Sequence, residues 1–139
     1  MMTKNKDGHA TVLVVDDYED LRSLTKRAVE SFGYAVVEAS NGQEAIEVAR
    51  RELPDVILMD LSMPMLDGFA AILRIRRQAG LQDVPIVACS AHAAPQLRAD
   101  ALSAGCCAYL TKPVDINLLQ ATLAEILRAA APDAGDLET

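Results

Sequence analysis

The sequence predicts an α/β fold in which five βα units build one doubly wound parallel sheet. Apolar runs alternate five times with segments that carry apolar residues at spacings of three and four, the pattern of strands alternating with amphipathic helices. The chain has 139 residues, 51% hydrophobic and 24% charged, which suits one domain with a buried core. We expect that domain to cover residues 11–130, with flexible tails at 1–10 and 131–139.

Five apolar runs mark the strands. They cover residues 11–15, 34–39, 55–61, 84–89 and 106–110. The first, third and fourth runs are almost wholly apolar and suit central strands that are covered on both faces. The second and fifth are shorter or carry polar residues and suit the edges. With right-handed crossovers, this assignment favours the strand order 2-1-3-4-5 of a flavodoxin-like sheet.

Helical segments lie between these runs, and several of their ends can be placed. The first segment repeats apolar residues at helical spacing from Leu21 to Phe32. Ser40, followed three residues later by Gln43, has the form of a capping box for the second helix. Glycines at 33, 80 and 105 fall where helices should end.

The last helix carries an apolar stripe broader than one contact with the sheet requires. The stripe contains Leu118, Leu119, Leu123, Ile126 and Leu127. Core packing is the favoured interpretation. Docking of a partner or a second copy of the chain is the alternative.

Composition excludes several classes of function. With 13 Lys and Arg against 20 Asp and Glu, the formal net charge is -7, and no clustered basic face favours direct DNA binding. No segment approaches the roughly 18 apolar residues of a membrane helix and no signal peptide is evident, so we expect a cytoplasmic protein without membrane contact. Three cysteines at 89, 106 and 107 suit neither a disulfide framework nor a zinc site, and we expect them to be buried.

Polar residues follow the predicted strands at the edge where doubly wound sheets bind ligands. Asp16 and Asp17 follow the first strand, Asp60 ends the third, and Ser90 and Lys112 follow the fourth and fifth. Singly, each could cap a helix or lie in a solvated loop. Together, three mutually repelling carboxylates predict a Mg²⁺ site, next to a hydroxyl and a lysine that suit chemistry at a nucleophilic carboxylate.

These residues stand in motifs that resemble the receiver domain of bacterial two-component response regulators, over about residues 11–128. The matching segments are VLVVDD at 12–17, VILMDLSMPMLDG at 56–68, ACSAH at 88–92 and GCCAYLTKP at 105–113. The resemblance implies a phosphorylation-activated switch that takes a phosphoryl group from a histidine kinase or phosphotransfer protein. It implies a phosphoacceptor that catalyses only its own phosphorylation and slow autodephosphorylation.

The resemblance also implies a role for each site residue. Asp60 would be the phosphoacceptor. Asp17 would bind Mg²⁺ directly and Asp16 largely through water, with Asp60 and the backbone carbonyl of Ser62 completing the protein's share; Mn²⁺ can replace Mg²⁺. Phosphoryl oxygens would be bound by Lys112, the Ser90 hydroxyl and the backbone of Ala91.

In the same family, a switch links the site to a surface. Ser90 and Tyr109 would change the face formed by the fourth helix, fifth strand and fifth helix, where an unidentified downstream protein binds. Ser62 and His92 would tune dephosphorylation, although His92 fits an ordinary loop equally well. The Lys112–Pro113 bond would be cis. We expect a monomer or a weak, phosphorylation-dependent dimer.

Other classes share this sheet. A flavodoxin-like electron carrier would need a Ser-, Thr- and Gly-rich phosphate loop where this chain has DDYED at 16–20. A Mg²⁺-dependent aspartate-nucleophile phosphatase would carry a second Asp two residues after the first, where Tyr18 stands. Within the resembling family, the sequence leaves open a stand-alone receiver or the receiver segment of a hybrid histidine kinase or larger regulator.

Overall fold

A five-stranded parallel sheet flanked by helices forms the protein in the computed structural model, which describes residues 9–61, 68–91 and 95–130. The strands are β1 Thr11–Val15, β2 Ala35–Ala39, β3 Val56–Asp60, β4 Ile86–Ser90 and β5 Ala108–Thr111. The helices are α1 Glu19–Ser31, α2 Gly42–Glu52, α3 Gly68–Arg76, α4 Pro95–Ser103 and α5 Ile116–Ala130. The strand order β2-β1-β3-β4-β5 confirms the predicted doubly wound fold.

The central strands are the most apolar ones, as predicted. All residues of β1, β3 and β4 are buried, whereas β2 and β5 lie at the edges and are partly exposed. The parallel register pairs Val15 with Met59 and Asp60 with Cys89. Asp16, the residue after Val15, therefore comes level with Asp60 at the carboxyl end of the sheet.

Two apolar cores cover the two faces of the sheet. One packs α2 and α3, with Ala101 of α4, against one face, and the other packs α1 and α5 against the opposite face. The α5 stripe contributes Leu119, Leu123 and Leu127 to the second core, so burial of apolar area accounts for that side of the stripe. Leu118 is exposed. None of the helices in the described ranges has the length and hydropathy needed to cross a bilayer.

Three local predictions from the sequence are wrong: the cap of α2, the first residue of β4 and the burial of one cysteine. The second helix is capped by Asn41, whose side chain accepts from the Glu44 N–H at 2.8 Å, while Glu44 Oε1 accepts from the Ser40 N–H at 2.6 Å. The cap is thus Asn41 instead of Ser40, because asparagine caps as well as serine does, and the side chain that bonds back to the Ser40 N–H belongs to Glu44 instead of Gln43. The fourth strand begins at Ile86 because Pro85 has no N–H to offer the ladder.

The third concerns the cysteines. Cys89 and Cys106 are buried as expected, but Cys107 is exposed. The Cys106 N–H still bonds the α4 carbonyl of Ala101, at 3.1 Å, and the Cys107 N–H bonds Ile86 O at 2.9 Å. The fifth strand consequently begins at Ala108, and Cys107 lies before the buried part of that strand. Burial raises the pKa of the Cys89 thiol to about 12, which makes it a poor nucleophile.

A guanidinium ties the loops together at the amino end of the sheet. Arg76 Nη1 donates to Val84 O at 2.6 Å and to Leu81 O at 3.3 Å, and Nη2 donates to Gly105 O at 2.8 Å. Nearby in the sheet, the Thr11 N–H donates to Asp55 Oδ2 at 2.7 Å. We call these contacts the amino-end network.

Candidate functional site

Three carboxylates converge at the carboxyl ends of β1 and β3. One oxygen from each of Asp16, Asp17 and Asp60 lies within 4.8 Å of the others. Asp16 is 5% exposed and Asp60 4%, while Asp17 is exposed to solvent. We call this cluster the acidic rim. Because like charges this close repel one another in a partly buried site, the rim is suited to bind a cation.

Lys112, just after β5, reaches into the acidic rim. Its Nζ lies 3.2 Å from Asp16 Oδ2 and 3.3 Å from Asp60 Oδ2. Burial alone would lower the pKa of Lys112, but the charges of Asp60 and Asp16 and the hydrogen bonds that the ammonium donates to both carboxylates outweigh it, so this pKa is raised. One lysine cannot neutralise three carboxylates, which leaves the rim with excess negative charge.

The turn after β1 holds Asp16 in place. Its N–H donates to Ala39 O at 3.1 Å, which extends the pairing of β1 with β2 by one residue. Its Oδ1 accepts from the Tyr18 N–H at 3.0 Å, a local turn that short acidic side chains favour. Asp16 is therefore oriented toward Lys112 before any cation binds.

The phosphoacceptor predicted from sequence, Asp60, is the last residue of β3, and α3 begins directly against it. A Cβ at Gly68, the first residue of α3, would lie 2.6 Å from Asp60 O and 2.8 Å from Leu61 Cα. Only glycine permits this approach. Gly68 is not among the residues predicted for the site; the available signal was the glycine itself, a residue type used where backbone segments must approach closely.

Ser90 and Tyr109 lie on neighbouring strands near this edge, and both are buried. Ser90 ends β4 and pairs with Thr111, and its carbonyl accepts from the Lys112 N–H at 2.7 Å. Tyr109 packs in the core that also contains α2 and α3. Ala91, next after β4, is exposed. The structure thus brings the serine and lysine predicted for phosphoryl binding to the same edge of the sheet.

Two predicted residues, Ser62 and His92, lie outside the described residues. The Lys112–Pro113 peptide bond is cis.

A cavity of about 660 Å³ opens next to the acidic rim, between α1 and α5. Its walls are mostly apolar and include Leu21 and Leu24 of α1 and Leu119 of α5, while Asp60 and Lys112 line its inner end. Leu24 is 61% exposed. Asp60 thus lines a cavity although only 4% of the residue is exposed.

The donor set of the acidic rim suits Mg²⁺ in particular. All three side chains offer carboxylate oxygens, the hard ligands that Mg²⁺ and Ca²⁺ prefer. Mg²⁺ is commonly bound by only one or two carboxylates, with water and phosphate oxygens in the remaining positions, so this small donor set is sufficient for it.

Comparison with known protein families and curated sequences agrees with this geometry. A family model described as "Response regulator receiver domain" matches residues 12–124. An uncharacterized 14.6 kDa protein of Leptolyngbya boryana is 39% identical over 123 residues, which are 88% of this chain and 94% of that protein. The probable transcriptional regulator ycf27 of Guillardia theta is 36% identical over 84% of this chain but only 45% of its own length, so the chain spans about half of such regulators.

Solved structures show the same likeness. The chemotaxis protein CheY4 of Vibrio cholerae superimposes with a TM-score of 0.81 at 30% identity, covering 85% of this chain and 98% of that one. The receiver domain of a sensor histidine kinase from Pseudomonas aeruginosa PAO1, solved with a magnesium ion coordinated in its active site cleft, gives a TM-score of 0.75 at 35% identity. It covers 87% of this chain and 96% of that one.

Proposed function

The chain belongs to the response regulator receiver domain family, and from that premise we propose that Asp60 accepts a phosphoryl group from a phosphohistidine in the presence of Mg²⁺. Receiver domains are phosphoacceptor signalling modules rather than catalytic enzymes, and they partner histidine kinases. The donor here is a histidine kinase or a phosphotransfer protein. Phosphorylation changes the surface that a downstream protein recognises.

The observation that carries this proposal is the charge arrangement of the acidic rim with Lys112. Asp16, Asp17 and Asp60 bring three carboxylate oxygens within 4.8 Å, and the lysine pairs with the two buried ones. Three carboxylates with one lysine leave a net negative charge, which a bound cation would offset before a phosphoryl group arrives.

Asp17, Asp16, Asp60 and the backbone carbonyl of Ser62 would hold the Mg²⁺. When bound, Mg²⁺ supplies positive charge next to the transferring phosphoryl oxygens. The magnesium ion named in the Pseudomonas aeruginosa receiver structure supports this assignment. Mn²⁺, which takes similar oxygen ligands, can take its place.

In the transfer step, a carboxylate oxygen of Asp60 attacks the phosphorus in line. The new P–O bond forms as the P–N bond of the phosphohistidine breaks, and the imidazole leaves with that electron pair. Lys112, whose raised pKa keeps it protonated, stays close to Asp60 and stabilises negative charge on the phosphoryl oxygens. Most of the rate enhancement comes from positioning and charge neutralisation.

Readout of the phosphorylated state would pass through Ser90 and Tyr109. The Ser90 hydroxyl and the Ala91 backbone bond phosphoryl oxygens, and the contacts of the buried Tyr109 change in response, which shifts a two-state equilibrium. The surface affected is formed by α4, β5 and α5. Water later cleaves the acyl phosphate to regenerate the Asp60 carboxylate and release phosphate, at a rate tuned by Ser62 and His92.

Phosphorylation with a small donor tests the proposal directly. With acetyl phosphate and Mg²⁺, intact-mass measurement should show one added phosphoryl group, and beryllofluoride should shift NMR signals near the site. Asp60→Ala should show neither change, whereas Asp20→Ala, which removes an exposed carboxylate from the first turn of α1, should label like the wild type. A wild-type chain that never labels, or an Asp60→Ala chain that labels equally, would refute the assignment.

A further inference from the structure

Arg22 of α1 connects the acidic rim to the edge strand. Its Nη1 donates to the backbone carbonyl of Asp16 at 2.9 Å, and its Nε donates to Glu38 Oε1 at 3.0 Å. The side chain is only 16% exposed. Glu38 lies in β2 level with Val14 and also pairs with Lys26, whose Nζ is 3.3 Å from Oε2. Arg22 thus bridges a β2 carboxylate and the peptide that follows Asp16.

The bond from Arg22 completes the hydrogen bonding of Asp16. The Asp16 N–H is bonded to β2, Oδ1 to the Tyr18 N–H and Oδ2 to Lys112. The carbonyl is the remaining polar group. It belongs to the planar peptide unit that joins Asp16 to Asp17, so its orientation also sets the direction in which the Asp17 side chain leaves the backbone.

The geometry points to Arg22 as a positioning residue for the metal site: it holds the Asp16–Asp17 peptide so that both carboxylates face the same cation. This inference rests on the proposed function, since it concerns the same Mg²⁺ site. Among the described residues, Arg22 makes no hydrogen bond or ion pair with the carboxylate of Asp16 or Asp17, so it acts through the backbone. Such outer contacts commonly change metal affinity as much as 10- to 100-fold when they are removed.

The sign of the effect separates positioning from simple electrostatics. A guanidinium near the acidic rim repels Mg²⁺, so deleting its charge should by itself strengthen binding. Loss of positioning should weaken it instead, because the freed peptide must be reordered each time the cation binds. Arg22→Ala is therefore informative in both directions.

Lys26→Ala is the matched control. Lys26 lies one turn further along α1, pairs with the same Glu38 and carries the same charge, but it makes no contact with the Asp16 peptide. Arg22→Lys is the conservative variant: it keeps the charge, yet a single ammonium on a shorter, unbranched end cannot reproduce the two-sided contact of the guanidinium.

Calorimetric Mg²⁺ titration of the full chain without a phosphodonor tests the inference, with NMR of the Asp17 and Tyr18 amides as a second readout. Arg22→Ala and Arg22→Lys should bind Mg²⁺ about 10-fold more weakly than the wild type and should shift both amides before metal is added. Lys26→Ala should bind as the wild type or slightly more tightly, with the two amides unmoved.

Wild-type or tighter affinity in Arg22→Ala, or equal weakening in Lys26→Ala, overturns the positioning role. Should Arg22→Ala fail to fold by circular dichroism, Arg22→Lys and Glu38→Gln decide in its place, and wild-type Mg²⁺ affinity in both overturns the role as well. A wild-type chain that does not bind Mg²⁺ instead refutes the proposed function, so the two failures are distinct.

Discussion

The two ends of the parallel sheet differ in how their charged side chains are paired. In the amino-end network, the positive Arg76 meets three backbone carbonyls and the negative Asp55 meets a backbone N–H. At the carboxyl end, the acidic rim holds three carboxylates against one lysine. Charge is matched by dipoles at one end and left in excess at the other.

The difference shows that the same fold divides stability and function between its ends. Polar groups that are fully paired inside the protein contribute to stability without any ligand. Groups that repel one another reduce stability until a ligand arrives, and that cost is recovered as binding free energy. Substitutions at the amino end should therefore change stability alone, and those at the acidic rim should change stability in a Mg²⁺-dependent way.

The largest expected loss of stability lies in the amino-end network. Arg76→Met leaves the carbonyls of Leu81, Val84 and Gly105 without their charged donor, and we expect the free energy of unfolding to fall by about 3 kcal/mol. Urea unfolding measures it. Arg77→Met removes the same charge from an exposed neighbour and should cost little. A change in Mg²⁺ affinity in Arg76→Met larger than in Arg77→Met would contradict the separation of the two ends.

Lys112→Met should cause the next largest loss of stability, because it removes the cation shared by Asp16 and Asp60. We expect a loss of about 2 kcal/mol in metal-free protein, partly recovered by Mg²⁺. The folded-state pKa of Lys112 is raised above 10.5, so its contribution is fully present below that pH and is lost as pH rises through the folded-state value. Unfolding curves of wild type and variant should converge in strong alkali; a constant difference would argue against an electrostatic role.

The same chemical change should have opposite signs at the two ends. In metal-free protein, Asp60→Asn relieves repulsion in the acidic rim and should stabilise by about 1 kcal/mol, while Asp55→Asn weakens the acceptor for the Thr11 N–H and should destabilise by about 1 kcal/mol. Thermal melts with and without Mg²⁺ measure both. Asp60→Asn should also lose most of the Mg²⁺-induced rise in Tm. Destabilisation by Asp60→Asn would show that repulsion does not dominate the rim.

The smallest effect concerns Glu44, which lies near the carboxyl end but forms no part of the acidic rim. Hydrogen bonds from the Ser40 backbone and hydroxyl lower the pKa of Glu44, so its contribution is present above the ordinary value of 4.5 and is lost as pH falls through the folded-state value. Because the group is largely exposed, Glu44→Gln should cost only a few tenths of a kcal/mol at neutral pH. Chemical unfolding at neutral and acid pH checks this, and a Mg²⁺-dependent cost would contradict the local role.

Much of the fold follows from patterns that lie close together in the chain. The buried strands β1, β3 and β4 are recognisable because, in an α/β protein, short continuous apolar runs are typical of strands that are covered on both faces. The exact ends of strands and helices are harder to predict, because a single residue can decide them. Strand β4 begins only after Pro85, and Asn41 caps α2 where Ser40 was predicted to do so. The exposure of Cys107 depends on where the preceding turn places the start of β5, which residue type alone does not reveal.

By itself, the sequence determined the order of the elements and the set of charged residues at the strand ends, because apolar periodicity and strand termini are properties of contiguous residues. Only the tertiary structure decided the contacts across the chain: Lys112 reaches Asp16 from 96 positions away, and Arg22 meets the Asp16 carbonyl as well as Glu38. Such contacts depend on strand register and on side-chain rotamers set by packing. The excess negative charge of the acidic rim could be predicted from the residue types. The groups that position its carboxylates could be identified only in the folded chain.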